Sequence, residues 1–87
     1  MIRIIYGDSF IRSARKLPSH IKQKLADLLS ILSQNPFHKF LHTKYLVGEL
    51  TGFFSFRVTR DWRVVFQFVE PEIIKLVKIA HRKDIYK

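Results

Sequence analysis

Cysteine is absent from the 87 residues, which excludes disulfides and thiolate metal sites. Long apolar runs are absent too. None approaches the roughly 18–20 residues that span a bilayer. The opening Met-Ile-Arg-Ile-Ile-Tyr lacks the long apolar stretch of a signal peptide, so a cytoplasmic protein is the expectation. Glycine is scarce, and Gly7, Gly48 and Gly52 do not form a phosphate-cradling loop. His38 and His42 stand four apart, a spacing that suits a metal on a helix, but no carboxylate or third histidine nearby completes the set. No metal and no small-molecule cofactor is expected. No Ser/His/Asp constellation is apparent. Acidic residues are also few: 7 against 16 lysines and arginines, a net charge of +9.

That imbalance is the most informative feature of the composition. It predicts a strong positive field and attraction to polyanions. An acidic membrane surface fits less well, since no basic amphipathic helix has a wide exposed apolar edge. The bland alternative is a soluble and merely basic domain. The length suits one small domain over 1–87, near the lower limit for a self-sufficient core. With 47% hydrophobic residues, such a core can form.

In chain order, Ile2 to Tyr6 reads as a short β-branched strand ended by Gly7. Asp8 or Ser9 is suited to cap a first helix, in which Phe10, Ala14 and Leu17 share a face. Pro18 breaks it and opens a second helix. There Ile21, Leu25, Leu28, Leu29 and Leu32 form an apolar stripe, until Asn35-Pro36 stops it. Arg12, Arg15, Lys16, Lys22 and Lys24 lie off these stripes, as a solvated face or as contacts to an RNA backbone. Phe37 to Val47 reads as a loop that packs Phe40 and Leu46 inward.

Gly48 to Phe68 organises the rest. Phe54, Phe56 and Val58 alternate with Ser55, Arg57 and Thr59, the period of a strand. Thr59 to Trp62 turns the chain. Trp62, Val64, Phe66 and Phe68 then alternate with Arg63, Val65 and Gln67. An aromatic face must be buried, so Arg57 and Arg63 are pushed together onto the other face. After a turn at Glu70-Pro71-Glu72, Ile73 to Ala80 forms a last strand. Each of its two faces holds one lysine, Lys75 or Lys78, so period alone does not say which is buried. The expected fold is α+β: two N-terminal helices packed on one face of an antiparallel sheet, in the order β-α-α-β-β-β, with the other face open.

The hairpin segment Gly-Glu-Leu-Thr-Gly-Phe-Phe-Ser-Phe-Arg-Val-Thr-Arg-Asp-Trp-Arg-Val-Val-Phe resembles the centre of the RelE/ParE toxin superfamily, and is most similar to its RelE and YoeB branches. The tail from His81 to Tyr86 is similar to the ending common there, and the likeness covers nearly the whole chain. It implies the same architecture, with the open concave face as the working surface. It also implies the toxin of a type II toxin–antitoxin pair, a ribosome-dependent endoribonuclease that cuts mRNA in the 30S A site and is held in check by a cognate antitoxin protein.

The resemblance bears on particular residues. Arg63 matches the arginine after the aromatic in the RelE and YoeB hairpins, and Arg57 matches a basic position there. Arg82 and Tyr86 fall at the places of an arginine after the last strand and a tyrosine near the C-terminus. These four, with His81, are the catalytic candidates, and Lys44, Lys78 and Lys83 are candidates for binding RNA. Cleavage by 2′-OH attack builds negative charge on phosphorus, and fixed cations lower that barrier. Arginine suits the task because its planar fork holds two oxygens and stays charged. Tyrosine can stack on a base or move a proton, and an imidazole titrates near neutrality. YoeB-like members carry a C-terminal His-Tyr pair, but here Asp84-Ile85 precedes Tyr86. They also carry a loop glutamate, where Lys44 stands. Both departures favour a RelE-like site that relies on cations. Two other readings remain open at this point: a ParE-like toxin that poisons DNA gyrase without cutting RNA, and an inactive homologue kept as an antitoxin-binding or repressor partner.

Overall fold

A computed structural model of the chain describes residues 1–85. The first strand, β1 (Arg3–Tyr6), runs into Gly7 and helix α1 (Asp8–Arg15). Neither Asp8 nor Ser9 caps the helix, contrary to expectation. Gly7 is the N-cap, without a side-chain bond, and its carbonyl accepts from Ile11 N at 3.0 Å. The reason is close packing. Gly7 N donates to Leu76 O at 3.0 Å, and a Cβ on Gly7 would lie 2.7 Å from that oxygen. Only glycine fits where the chain leaves the sheet, so the helix starts there.

Pro18 caps helix α2 (Ser19–Gln34) through its carbonyl, which accepts from Ile21 N and Lys22 N. The apolar stripe of α2 faces inward as expected: Ile21, Leu25, Leu28 and Leu32 are buried. Asn35 ends the helix, and its side-chain oxygen accepts from Phe37 N at 3.0 Å, an Asx turn.

Strands β2 (Lys44–Tyr45), β3 (Phe54–Arg57), β4 (Trp62–Glu70) and β5 (Ile73–His81) complete one sheet in the order β1-β5-β4-β3-β2. Its pairs are antiparallel except β1 with β5. Strand β2 lies in the segment expected to be a loop. Leu46 is buried there as expected, but Phe40 is 59% exposed, and Leu41 takes the inward place. The backbone tightens into a 3-10 turn at Lys39–Leu41, with His38 Nδ1 accepting from Phe40 N at 3.1 Å. This turn aims Leu41, not Phe40, at the core.

Both helices cover one face of the sheet. Phe10, Ile21, Leu25, Leu28 and Leu32 pack there against Phe56, Val58, Val64, Phe66, Ile74, Leu76 and Ile79. In β5 this face takes residues from both alternations. Val65 pairs with Lys78, but Phe66 pairs with Leu76, so Val77 is an extra residue in a β-bulge. The strand changes phase at Val77, which is why its period named no buried side. Beyond the end of β1, Ile79 N donates instead to Ser13 Oγ of α1 at 3.1 Å. Removing that acceptor leaves a buried N–H unpaired. Ser13→Ala is expected to lower unfolding free energy by roughly 1–3 kcal/mol, while Ser13→Thr keeps most of it. Urea unfolding measures both, and equal stability of Ser13→Ala and the parent would contradict the assignment.

Candidate nucleic-acid interface

The arginines are placed by what lies behind them. Phe54, Phe56 and Val64 turn to the helix side, where Phe54 and Phe66 stack with centroids 5.6 Å apart. Pleating then puts Ser55, Arg57, Arg63 and Val65 on the open side. Arg57 and Arg63 are direct cross-strand partners, as the alternation predicts. Direct partners lie about 4.5–5.5 Å apart at Cα. Like charges so placed destabilise a sheet. In addition, Arg57 Nε is buried without a hydrogen-bond partner. A scaffold that tolerates both features is prepared for an anion.

The open face is not bare. Leu46, Val65 and Ile85 form a second small apolar cluster on it, with Phe53, Val77 and Ala80 packed alongside. Against this cluster lies a recess of about 130 Å³ lined by Lys44, Ser55, Arg63 and Arg82, with Leu46 and Ile85 as its apolar walls. Lys44 stands opposite Ser55 across β2 and β3. Arg82 arrives from the end of β5. Its N–H donates to Asp61 O at 2.7 Å, and its Nε lies 3.6 Å from Asp61 Oδ1. Both side chains are about half exposed, so the ion pair contributes at most about 1 kcal/mol. Its effect is to orient, fastening the strand end to the hairpin turn.

The bulge at Val77 decides which tail residues reach this recess. An unbroken β5 alternation would carry the side of Leu76 on to Lys78, Ala80 and Arg82, facing the helices. The extra residue reverses this. Ile79 and His81 turn to the helix side, and Arg82 reaches the recess. His81 is therefore separated from the arginines. It pairs with Trp62, their rings edge to face at 5.7 Å, and its Nδ1 accepts from Lys83 N at 3.4 Å. Lys78 stands opposite Val65 on the open side but does not line the recess. Lys83 is exposed in the 3-10 turn Arg82–Asp84, also outside the recess. Tyr86 lies outside the described residues. His38 serves as a turn cap, and among the described residues no group of three or more His, Cys, Asp or Glu side chains gathers to hold a metal.

Sequence reasoning missed Asp61 and Ser55. Ser55 was legible in the strand alternation as a small polar residue beside two arginines. Asp61 showed only as a turn acid, and its partner depends on where β5 ends. The described recess offers cations, a hydroxyl and a dry wall. It contains no carboxylate or imidazole, so it can hold and neutralise phosphate oxygens but supplies no strong base of its own.

Residues 5–81 match the family model of the HigB-like toxin, described as the RelE-like toxin of the type II toxin–antitoxin system HigB. Among solved structures the chain is similar to YafQ from Escherichia coli strain BL21(DE3), with a TM-score of 0.81 at 16% identity over all of both chains. It is similar to a chain of the RelBE2 toxin–antitoxin complex from Mycobacterium tuberculosis, with a TM-score of 0.77 at 23% identity over 93% of this chain and 98% of that one. For the YoeB–YefM complex from Staphylococcus aureus the TM-score is 0.74 at 19% identity, over 92% and 95%. At such identities these likenesses are of fold. No curated protein matches the sequence.

The arginine pair should weaken the fold that carries it. Arg57→Met removes one of two facing charges and an unpaired buried N–H while keeping the length of the side chain. It is expected to stabilise the protein by roughly 1 kcal/mol, read from the urea midpoint. A loss of stability would show that Arg57 is held by compensating contacts.

Proposed function

The chain belongs to the HigB-like family of RelE-like type II toxins, and on that premise we propose that it is an endoribonuclease that cuts mRNA in the ribosomal A site and so arrests translation. One observation carries this reading: Arg57 and Arg63 face each other across β3 and β4, with Arg82 and Lys44 beside Arg63 at one recess. Three cations, Lys44, Arg63 and Arg82, line a recess whose volume suits a phosphate, and Arg57 stands outside it as the cross-strand partner of Arg63.

The reaction that suits this recess needs no metal. The ribose 2′-OH gives up its proton and attacks the adjacent phosphorus, and the bond to the 5′ oxygen of the next nucleotide breaks; that oxygen takes up a proton and leaves as a hydroxyl, and a 2′,3′-cyclic phosphate remains. Between attack and departure phosphorus is five-coordinate and carries extra negative charge. Arg63 and Arg82 hold the oxygens on which that charge develops, and Arg57 adds to the field from the neighbouring strand. Fixed donors of this kind do not reorganise during reaction, which is why they stabilise the transition state more than water does. Lys44 binds the flanking backbone. Lys78 and Lys83 extend the positive surface for RNA outside the recess. Tyr86 is assigned to stacking on a base or moving a proton. The ribosome supplies the remaining positioning of the mRNA, in keeping with a recess that has no carboxylate among its described residues.

Regulation follows from the same charges. The relatives RelBE2 and YoeB–YefM are toxin–antitoxin complexes. A cognate antitoxin is proposed here too, with an acidic or amphipathic segment that covers the open face. No helix among the described residues is long and apolar enough to cross a membrane, and the proposed place of action is the cytoplasm.

Programmed ribosomes in a cell-free translation system test the proposal. The parent protein should break mRNA at defined codons, and Arg63→Ala should lower the single-turnover rate by about 10²–10³-fold, the usual effect of deleting one charge-stabilising donor. Intact mRNA together with gyrase-dependent DNA breaks would replace this reading with a gyrase poison. Failure of either protein to arrest translation or break DNA would mark the chain as an inactive partner.

A further inference from the structure

On the opposite face, the proposed reaction leaves a second cationic site unused. α1 and the end of the β4–β5 ladder enclose a groove of about 630 Å³, within the usual size of small-ligand pockets. Arg12, Arg15 and Lys16 line one wall. All three are exposed, and none has an ion-pair partner among the described residues. They sit at i, i+3 and i+4, where like charges on a helix repel each other. Trp62 and His81 line the other wall, both half-buried, with their rings at 71° to each other. Among the described residues, Asp84 is the one carboxylate along a groove with three cations. Here too an arrangement that weakens the free fold would be relieved by a negatively charged ligand.

We infer that this groove holds one nucleotide of a single-stranded RNA, with its phosphate among Arg12, Arg15 and Lys16 and its base against Trp62 and His81. The combination of cations and aromatic rings selects this occupant. Single strands are held by a positive track for the backbone and aromatic faces for the bases, and an indole also attracts cations that bridge to the phosphate. An acidic peptide would satisfy the cations but present nothing flat to the aromatic wall. The groove also adjoins the recess. Trp62 and His81 are a register pair, and the next pair is Arg63 with Ala80. A strand held at the recess reaches the groove by passing round the end of the sheet. The inference rests on the reading that this chain acts on RNA.

Trp62 is the only tryptophan of the chain, so its fluorescence reports the groove directly. The probe is a short 2′-O-methyl RNA, which lacks the attacking hydroxyl and is not cut. Saturable quenching of Trp62 is expected. Arg12→Gln/Arg15→Gln should weaken it at least about tenfold and reduce the slope of log affinity against log salt by about one. Lys16→Gln gives a graded second test should the double variant fold poorly, which circular dichroism checks. Arg63→Ala should lose mRNA cleavage but keep the quenching amplitude at saturation, so the two readings fail separately. Absent quenching, or quenching unchanged in both groove variants, would overturn the inference. So would a polyglutamate peptide that quenches as strongly and with the same sensitivity, since the groove would then be a protein-docking site.

Discussion

Phe56, Val64 and Phe66 are fully buried, and together they fix how β3 pairs with β4. A one-residue slip would send each of them to the open side. Burial of such side chains contributes about 1.5–3 kcal/mol each, whereas facing like charges across a sheet costs up to roughly 1 kcal/mol. Burial wins by several-fold. Arg57 and Arg63 are therefore held together, not by attraction but because the other face of each strand is committed to the core. The pairing places two guanidiniums side by side on the open face, where an anion can bind both.

The bulge at Val77 extends this constraint to the tail. By shifting β5 by one residue it hands Ile79 to the core and Arg82 to the recess, and it carries His81 to the far face. Ser13 then satisfies the backbone N–H that has no β1 residue beside it. One local irregularity thus sorts the charged tail between two cationic surfaces. The recess gathers guanidiniums around a small dry space, and the groove sets cations against two aromatic rings. An RNA chain has both chemistries, charged oxygens and flat bases.

Much of this was legible in the residues. The alternation of Phe54, Phe56 and Val58 with Ser55 and Arg57 has only one physically reasonable burial, so the hairpin and its paired arginines could be read directly. The stripe from Ile21 to Leu32 and the stops at Pro18 and Asn35 were equally plain. Other features depend on tertiary pairing. Strand β2 has two residues, too few to show a period. The exchange of Phe40 for Leu41 follows from a tight turn capped by His38, which leaves no hydrophobic signature. The side taken by His81 depends on an extra residue in β5 that is visible only once β4 lies beside it. The partnership of Asp61 with Arg82 depends on the same register. The resemblance to RelE-like toxins supplied the superfamily, which the match over residues 5–81 bears out. The grouping of Arg63, Arg82 and Lys44 needed the structure.

The core forces like-charged side chains together on the open face, and an anion should bind them there. The most direct measurement is the thermal midpoint in inorganic phosphate against chloride at matched ionic strength. Ligand that binds only the folded state raises the midpoint by mass action. The parent protein should gain stability with rising phosphate, and Arg57→Met/Arg63→Met should lose most of that gain. An equal phosphate response in both proteins, or none in the parent, would contradict the account.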